Sequence, residues 1–408
     1  MFKSASNLLL NKEMPNRITL SIILSVVFLD NLGYAIVFPY IFFYVKSLGG
    51  DVFIFGVLLS AYSLMSFLFT PAIARLSDRH GRRRIILFAL LISGVSYIIF
   101  GVANVLWLLF LSRMLAGTTA ATVPVAQAYV ADVTTAKERL KYIGWTGASA
   151  GLAFITGQAI GGLLSNFFGY ALPSFLAAVL AFVNLILAYF FLTDLKHSTN
   201  NLDKRAFTLS ALKDLLSQRV IVFLFATYFM FFISFVFLQA VIPPWSSKLF
   251  GFSDLQVGLL FAYVGIISVL TQVFVLPRLS KKTFTTIALY GVILLGVSLL
   301  AVGIFPFLII LILMAASLAL GFGLLISSLS TLISIQAPKE AQGGSLGIAW
   351  SLAALAQTIG PTLAVSLFTI GASISLDGLA FVMAAIITLM TIPLLLSMKK
   401  QENIVTES

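Results

Sequence analysis

Twelve stretches of this sequence are long and predominantly apolar, and their length limits the possible folds more than any other feature. They lie at about residues 18–42, 53–73, 85–104, 106–130, 142–164, 171–193, 220–245, 255–277, 284–304, 306–333, 343–370 and 376–397. A helix that crosses a membrane needs roughly 20 such residues, and a strand of a membrane barrel needs about 10 with alternating polarity. The stretches are too long for barrel strands and do not alternate, so the chain is predicted to be an all-α membrane protein with twelve transmembrane helices.

The placement of basic residues predicts the topology. Only 10% of residues are charged, against about 25% in soluble domains. Of the 25 Lys and Arg residues, all but three fall in the amino terminus, the even-numbered loops and the carboxyl tail. Lys46 and Lys248 fall on the other side, and Arg113 lies within a span. Because cytoplasmic loops are enriched in Lys and Arg, we expect a multi-pass protein of the inner (cytoplasmic) membrane with both termini in the cytoplasm. The net charge of +11 then requires no nucleic acid partner.

Short matches recur at an offset of about 203 residues, which is close to half the chain and indicates an internal repeat. Arg75–Ser77 follows span 2 as Arg278–Ser280 follows span 8, and Gly144 in span 5 corresponds to Gly347 in span 11. The chain is therefore predicted to have two six-helix halves, at 1–193 and 220–408, joined by a cytoplasmic linker at 194–219. The linker is either a short helix on the membrane surface or a solvated connection.

Two charged residues lie deep inside predicted spans, Asp30 in span 1 and Arg113 in span 4. A charge at that depth costs at least ~2.5–3.5 kcal/mol. At 1.5 Å per residue both lie ~18–20 Å from the cytoplasmic surface, so they are able to share a depth. Either Asp30 exchanges a proton while Arg113 tunes that exchange, or the two form a permanent ion pair that ties span 1 to span 4.

The loop after span 2, Ala74–Arg84, is the most specific local pattern. A tight turn there needs Gly81, which tolerates positive φ. Asp78 is suited to cap a helix or to pair with Arg79 or Arg82. A loop that served only to place positive charge in the cytoplasm would need neither Asp78 nor Gly81, although that simpler interpretation stays open.

This loop resembles the loop 2–3 signature of the major facilitator superfamily, with Ala74 in place of the first Gly. The stretches Leu76–Arg83, Leu111–Gly117 and Gly144–Leu152 are also similar to the tetracycline/proton antiporters and related twelve-helix drug exporters. The resemblance implies the fold of that superfamily, a central cleft lined by helices 1 and 4, and alternating access. It also implies that Asp78, Arg79, Gly81 and Arg82 form a conformational gate, in which Asp78 meets the start of helix 11 near Gly343–Ser345.

Span 5 resembles the helix 5 motif of antiporters, G-P-x-x-G-G, with Gln158 at the position of the Pro. The resemblance implies a seal against leak in the closed state, whereas close helix packing alone is the simpler interpretation. The residues concerned are Gly151, Gly157, Gln158, Gly161 and Gly162. Two further positions depart from the tetracycline antiporters: Ser96 replaces an Asp of helix 3, and Ser268 replaces a His of helix 8.

A mostly apolar cavity with a few polar groups is expected beside the two buried charges, as is typical of small-molecule sites. Phe231, Phe235 and Gln239 share one face of span 7, since they are four residues apart. The complete expected lining is Asn31, Tyr34, Gln127, Phe231, Phe235 and Gln239. An aromatic wall near one carboxylate suits amphipathic cations, and Arg113 leaves zwitterions and anions open.

These features favour a secondary active transporter that exports small amphipathic organic compounds in exchange for protons. A proton-coupled uptake permease of the same fold is the alternative, and a membrane sensor that transports nothing is a remote one. An enzyme is not expected, because the chain has no Cys and its two His residues fall in loops. We expect a monomer whose partners are its substrate, protons and the lipid bilayer. The proton gradient supplies the energy, and no cofactor or metal is predicted.

Overall fold

The computed structural model describes residues 17–134, 136–193, 217–279, 282–337 and 342–407. Most of the expected linker, residues 194–216, lies outside this part of the chain. Within the described residues, twelve helices are long and apolar enough to cross a membrane, as the sequence predicts. They are α1 (Thr19–Ser47), α2 (Val52–His80), α3 (Arg82–Gly101), α4 (Leu106–Val133), α5 (Gly144–Phe168), α6 (Ala171–Phe191), α7 (Arg219–Phe250), α8 (Asp254–Arg278), α9 (Phe284–Ile304), α10 (Leu308–Gln336), α11 (Gly344–Ser373) and α12 (Leu379–Lys399).

Local chemistry sets the ends of these helices. The Asp51 side chain accepts a hydrogen bond from the backbone N–H of Ile54 and caps the start of α2. Ser253 and Gln256 form a reciprocal capping box at the start of α8. Gly251, with φ of 67°, ends α7 in the left-handed conformation that glycine adopts without strain. Short turns of this kind separate long helices that must run antiparallel to their neighbours.

Four helices are irregular along their length, and two of the irregularities border the cleft. Helix α12 is interrupted between Leu389 and Ile392. Helix α1 contains a 3-10 turn at Phe38–Tyr40 around Pro39. Helix α4 consists of two helices, Leu106–Thr118 and Thr122–Val133. Helix α8 includes one wide π turn at Thr271–Val275. Such interruptions free backbone groups and reorient side chains, and they are frequent at functional sites.

The twelve helices form two six-helix halves, α1–α6 and α7–α12. The halves meet where α5 packs on α8 and where α2 packs on α11. We call the end of the bundle at which α2 turns into α3, at Gly81, the basic end. The opposite end is the one at which α1 turns into α2, at residues 48–51.

At the opposite end, the two halves are in close contact through small residues. A Cβ atom on Gly258 of α8 would lie 2.5 Å from the carbonyl oxygen of Gln158 on α5. One on Gly162 would lie 2.7 Å from the carbonyl oxygen of Asp254. On the other side of the bundle, Gly56 of α2 packs directly on Val365 of α11. No larger side chain fits at these positions, so the helices approach to backbone contact and close this end.

At the basic end, the equivalent helices are apart. A Cβ atom added to Gly144 or Gly147 of α5, or to Gly347 of α11, would meet no atom of the described residues within 4 Å. Trp350, one turn further along α11, is 58% exposed. The cleft between the halves therefore opens at the basic end and is closed at the opposite end.

Candidate functional site

Arg113 of α4 is a buried cation with unmade hydrogen bonds. Its side chain is 1% exposed, and its guanidinium carbon lies 4.4 Å from the centre of the Phe100 ring and 5.7 Å from that of Tyr97. Its Nη2 donates to the Ser112 hydroxyl at 3.4 Å. Within the described residues, its Nε and Nη1 have no hydrogen-bond partner. Two N–H donors of this guanidinium are thus left without a partner from the described residues and are free to bind a ligand or water.

Asp30 lies on the same side of the cleft but beside a different residue. The side chain of Thr122 lies next to its carboxyl group, and the Thr122 hydroxyl itself donates to the backbone carbonyl of Thr119 at 3.2 Å. Thr122 begins the second part of α4, so the interruption of that helix places its hydroxyl against α1. Of the two alternatives for these charges, the permanent ion pair is not found, since no ion pair joins Asp30 to Arg113 among the described residues. A neutral side chain neighbours each charge, Thr122 beside Asp30 and Ser112 beside Arg113.

A group of tyrosines connects the two charges. Asp30 and Arg113 both interact electrostatically with Tyr62 and with Tyr97, so these two phenols lie near both charges. The ring of Tyr34 lies 5.2 Å from that of Tyr62, centre to centre. Sequence reasoning missed Tyr62 and Thr122 as members of this group. Both are polar residues inside apolar spans, which is the signal that would have identified them.

Arg113 borders a small cavity of about 30 Å³ between the two halves. Helices α1, α2, α4, α7 and α11 supply its wall, which includes Tyr34 and Tyr62 from one half and Gln239 and Gln357 from the other. Of these, Gln357 was not expected. The cavity thus brings a guanidinium, two phenols and two amides to the seam where the halves meet.

A larger cavity of about 440 Å³ adjoins the small one, and Gln239 lines both. Its wall is mostly apolar and comes from α1, α5, α7, α8, α10 and α11. Phe235 and Phe322 stack in this wall with ring centres 4.3 Å apart. The polar residues of the wall are Asn31, Gln239, Ser268 and Gln272. A cavity of this size and polarity suits one amphipathic organic molecule.

The six residues expected in the cavity therefore divide into two groups. Four of them, Asn31, Tyr34, Phe235 and Gln239, line one or both of these cavities. The structure places the other two elsewhere. Gln127 donates to the Thr146 hydroxyl at 3.3 Å and joins α4 to α5, and Phe231 is 1% exposed because Tyr228, Phe232 and Phe322 surround its ring. The period of span 7 identified the face correctly, but neighbouring helices cover part of it.

At the basic end, Arg82 joins two helices of one half. Its Nη1 pairs with Asp78 at 2.5 Å, and its Nε pairs at 3.1 Å with Asp132, the penultimate residue of α4. Gly81 between α2 and α3 has φ of 97°, which a residue with a side chain rarely adopts. Arg79 is exposed. In the described part of the chain, Asp78 pairs with Arg82 and not with the start of α11, so the contact implied by the resemblance is not made with the basic end open.

The small residues of α5 serve two different contacts. Gly157 and Gly161 pack on the backbone of α1 near Ala35 and Ile36, and Gly162 packs on α8. Gly151 has ample space: a Cβ atom there would touch only Val269, at 4.0 Å. It lines the larger cavity. Gln158 is fully buried, and neither atom of its side-chain amide has a hydrogen-bond partner among the described residues.

Comparison with known families supports the architecture. A family model described as Major Facilitator Superfamily matches residues 23–361. Among solved structures, a bacterial homologue of the human lysosomal transporter Spinster, in an inward-facing and unoccupied conformation, superposes with a TM-score of 0.78 at 14% identity. That comparison covers 94% of this chain and 97% of the other. The human organic anion transporter MFSD10 superposes with a TM-score of 0.69 at 20% identity, covering 93% and 99%. At these identities the likeness concerns the fold alone.

Curated relatives are more similar in sequence. The class B tetracycline resistance protein of Escherichia coli is 32% identical over 76% of this chain and 77% of its own length. The class C tetracycline resistance protein of Escherichia coli is 31% identical, covering 94% and 97%. Multidrug resistance protein 2 of Bacillus subtilis (strain 168) is 28% identical, covering 85% and 88%. These alignments extend across both halves of the bundle.

Proposed function

The chain belongs to the major facilitator superfamily, and on that premise we propose that it exports small amphipathic organic compounds in exchange for protons by alternating access. Its relatives are named for resistance to tetracycline or to multiple drugs, which supports export as the direction. The cleft between the halves is closed at one end and open at the other. If the halves rock against each other, a central site in such a cleft is exposed to each face of the membrane in turn.

The orientation follows from charge. The basic end carries Arg79, Arg82 and Arg84, and Lys- and Arg-rich loops face the cytoplasm by the positive-inside rule. We therefore assign the basic end and both termini to the cytoplasmic side of the inner membrane. The cleft would then open to the cytoplasm, which is where an exporter collects its substrate.

The observation that carries the proton role is the environment of Asp30. A permanent ion pair with Arg113 would keep Asp30 ionised throughout the cycle. No such pair is present among the described residues, and the neighbouring side chain of Thr122 is neutral. Loss of the proton would place a net negative charge beside α4 and so shift the balance between the two conformations. Asp78, Arg79, Gly81 and Arg82 would then rearrange as the gate when the basic end closes.

The substitution Asp30→Asn tests this role. In liposomes that contain the purified chain, an imposed pH gradient should drive transport of ethidium or tetracycline by the native protein and not by the variant. Asp51→Asn is the matched control, because Asn caps α2 as Asp does, so this variant should transport normally. If the Asp30→Asn protein still accumulates a compound against its gradient, the proton role of Asp30 is wrong.

The same liposomes distinguish the alternatives. Gradients of opposite sign separate exchange from uptake with protons, because only the uptake permease accumulates compound on the side that the protons enter. A sensor would move no compound under either gradient.

A further inference from the structure

The unmade hydrogen bonds of Arg113 define a ligand site. The side chain is 1% exposed, and its Nε and Nη1 have no partner in the described part of the chain. A buried donor left unpaired costs about 1–3 kcal/mol, and more when it is charged. The cavity beside Arg113, at about 30 Å³, holds about two waters, since one needs at least ~10–15 Å³. Waters there would be displaced by any ligand that satisfies the same donors better.

The chemistry of the site selects an anionic oxygen group. A guanidinium binds carboxylates strongly because its N–H groups match them in both charge and geometry. The other polar side chains that line the small cavity are neutral: Tyr34, Tyr62, Ser63, Gln239 and Gln357. A carboxylate placed there would neutralise Arg113, whereas an ammonium group would be repelled by it.

The larger cavity determines the chemical character of the part of the ligand that does not contact Arg113. It adjoins the small one at Gln239, measures about 440 Å³, and presents the stacked rings of Phe235 and Phe322. An apolar aromatic body fits there while its acidic group reaches Arg113. The ligand class is therefore an amphipathic organic acid.

We propose that Arg113 is the subsite for the acidic group of amphipathic organic acids, and that such acids inhibit the exchange cycle. Tyr62 and Tyr97 interact electrostatically with both Asp30 and Arg113, and the side chain of Thr122 lies beside Asp30. A carboxylate on Arg113 would place a second anionic group in this cluster, so loss of the Asp30 proton would then leave two negative charges facing the one positive charge of Arg113. Exchange requires the proton to leave before substrate is carried, so the protein with both acid and proton bound cannot complete the cycle. The inhibition rests on the proposed function, whereas the binding does not.

Three ligands of matched shape test the binding. Naphthoate, naphthamide and naphthylmethylamine carry an anionic, a neutral and a cationic group on one aromatic body. Calorimetry on the purified native protein in detergent should show naphthoate binding at least about tenfold more tightly than either of the others, a difference of ~1.4 kcal/mol. Arg113→Gln should lose at least that factor for naphthoate alone, and a melting curve checks that it is folded. Equal affinities of the native protein for all three would overturn the site even if the variant does not fold.

Proton uptake tests the inhibition. In weakly buffered solution with a pH indicator dye, naphthoate should cause the native protein to take up protons. Asp30→Asn should bind naphthoate without proton uptake. Naphthoate should also slow exchange in liposomes, and naphthamide at equal concentration should not. If naphthoate binds but causes neither proton uptake nor slower exchange, the proposed inhibition is wrong. Normal naphthoate binding by an Asp30→Asn protein that still exchanges would contradict the proposed function and leave the subsite intact.

Discussion

Gln158 is a buried polar residue whose surroundings do not supply the hydrogen bonds that its side-chain amide requires. It is fully buried in α5, beside the contacts with α1 and α8, and both atoms of its side-chain amide lack partners in the described part of the chain. Asn184 of α6 is equally buried, but its amide nitrogen donates to the carbonyl of Val26 at 3.0 Å. A buried unpaired amide destabilises the conformation that contains it by about 1–3 kcal/mol. Gln158 therefore favours opening of the opposite end, where water would reach it.

Replacing Gln158 by Leu should stabilise the conformation with the opposite end closed. Leu fills similar volume and has no group to desolvate, so the melting temperature should rise and the rate of exchange should fall. Asn184→Leu is the matched control and should lower the melting temperature, because it removes the buried hydrogen bond to the Val26 carbonyl. A lower melting temperature for Gln158→Leu would show that its amide is paired.

At the scale of elements, Arg82 fixes the relation between α2 and α4. Its two ion pairs reach Asp78 on its own loop and Asp132 at the far end of α4, fifty residues along the chain. It also donates to Ser77 at 2.7 Å. The family resemblance implied a partner for Asp78 at the start of α11, whereas with the basic end open Asp78 is paired within its own half. In the proposed cycle, Asp78 would leave Arg82 when the halves come together at the basic end.

Arg82→Ala should destabilise the first half, whereas Arg79→Ala should not. A hydrogen bond to a charged group contributes about 1.5–3 kcal/mol. Since Asp78 is 38% exposed and screened by solvent, about 1–2 kcal/mol is the expected loss. Thermal melting of the two variants and the native protein in detergent measures it, and high salt should reduce the difference. Equal melting of the two variants would mean that the pairs at Arg82 contribute nothing to stability.

At the scale of the whole molecule, the close contacts between the two halves in the described part of the chain lie toward the opposite end. The Ser60 hydroxyl of α2 and the Thr362 hydroxyl of α11 are 2.8 Å apart and form a hydrogen bond across the halves. Gly56 packs on Val365 one turn nearer the opposite end. On the other side of the bundle, Gly162 and Gly258 hold α5 against α8. These contacts must separate if the cleft is to open at the opposite end.

A disulfide between Ser60→Cys and Thr362→Cys should lock the molecule with the basic end open. The native chain has no Cys, so no other thiol competes. Oxidation should abolish transport, and a reducing agent should restore it. The single variants, treated alike, are the controls. A cross-linked protein that transports normally would show that the halves do not separate here.

Much of the architecture was predictable from local sequence, because hydropathy is a property of each segment by itself. Span 6 was predicted at 171–193 and is found at Ala171–Phe191, and span 9 was predicted at 284–304 and is found at Phe284–Ile304. The line of Phe235 and Gln239 on one face was also predictable from helical periodicity. The burial of Phe231 was not predictable, because it depends on where α10 and α11 pack against α7.

The sequence by itself thus determined twelve spans, their division into two halves and the presence of one acid and one base in the membrane interior. Only the tertiary structure decided that Asp30 and Arg113 form no ion pair, that Arg113 keeps two free donors in the described structure, and that the cleft opens at the basic end. The physical reason is that each segment's own length and hydropathy decide whether it spans the membrane. The partner of a side chain depends on helix breaks, on rotation about each helix axis and on contacts between glycines more than ninety residues apart, such as Gly162 and Gly258.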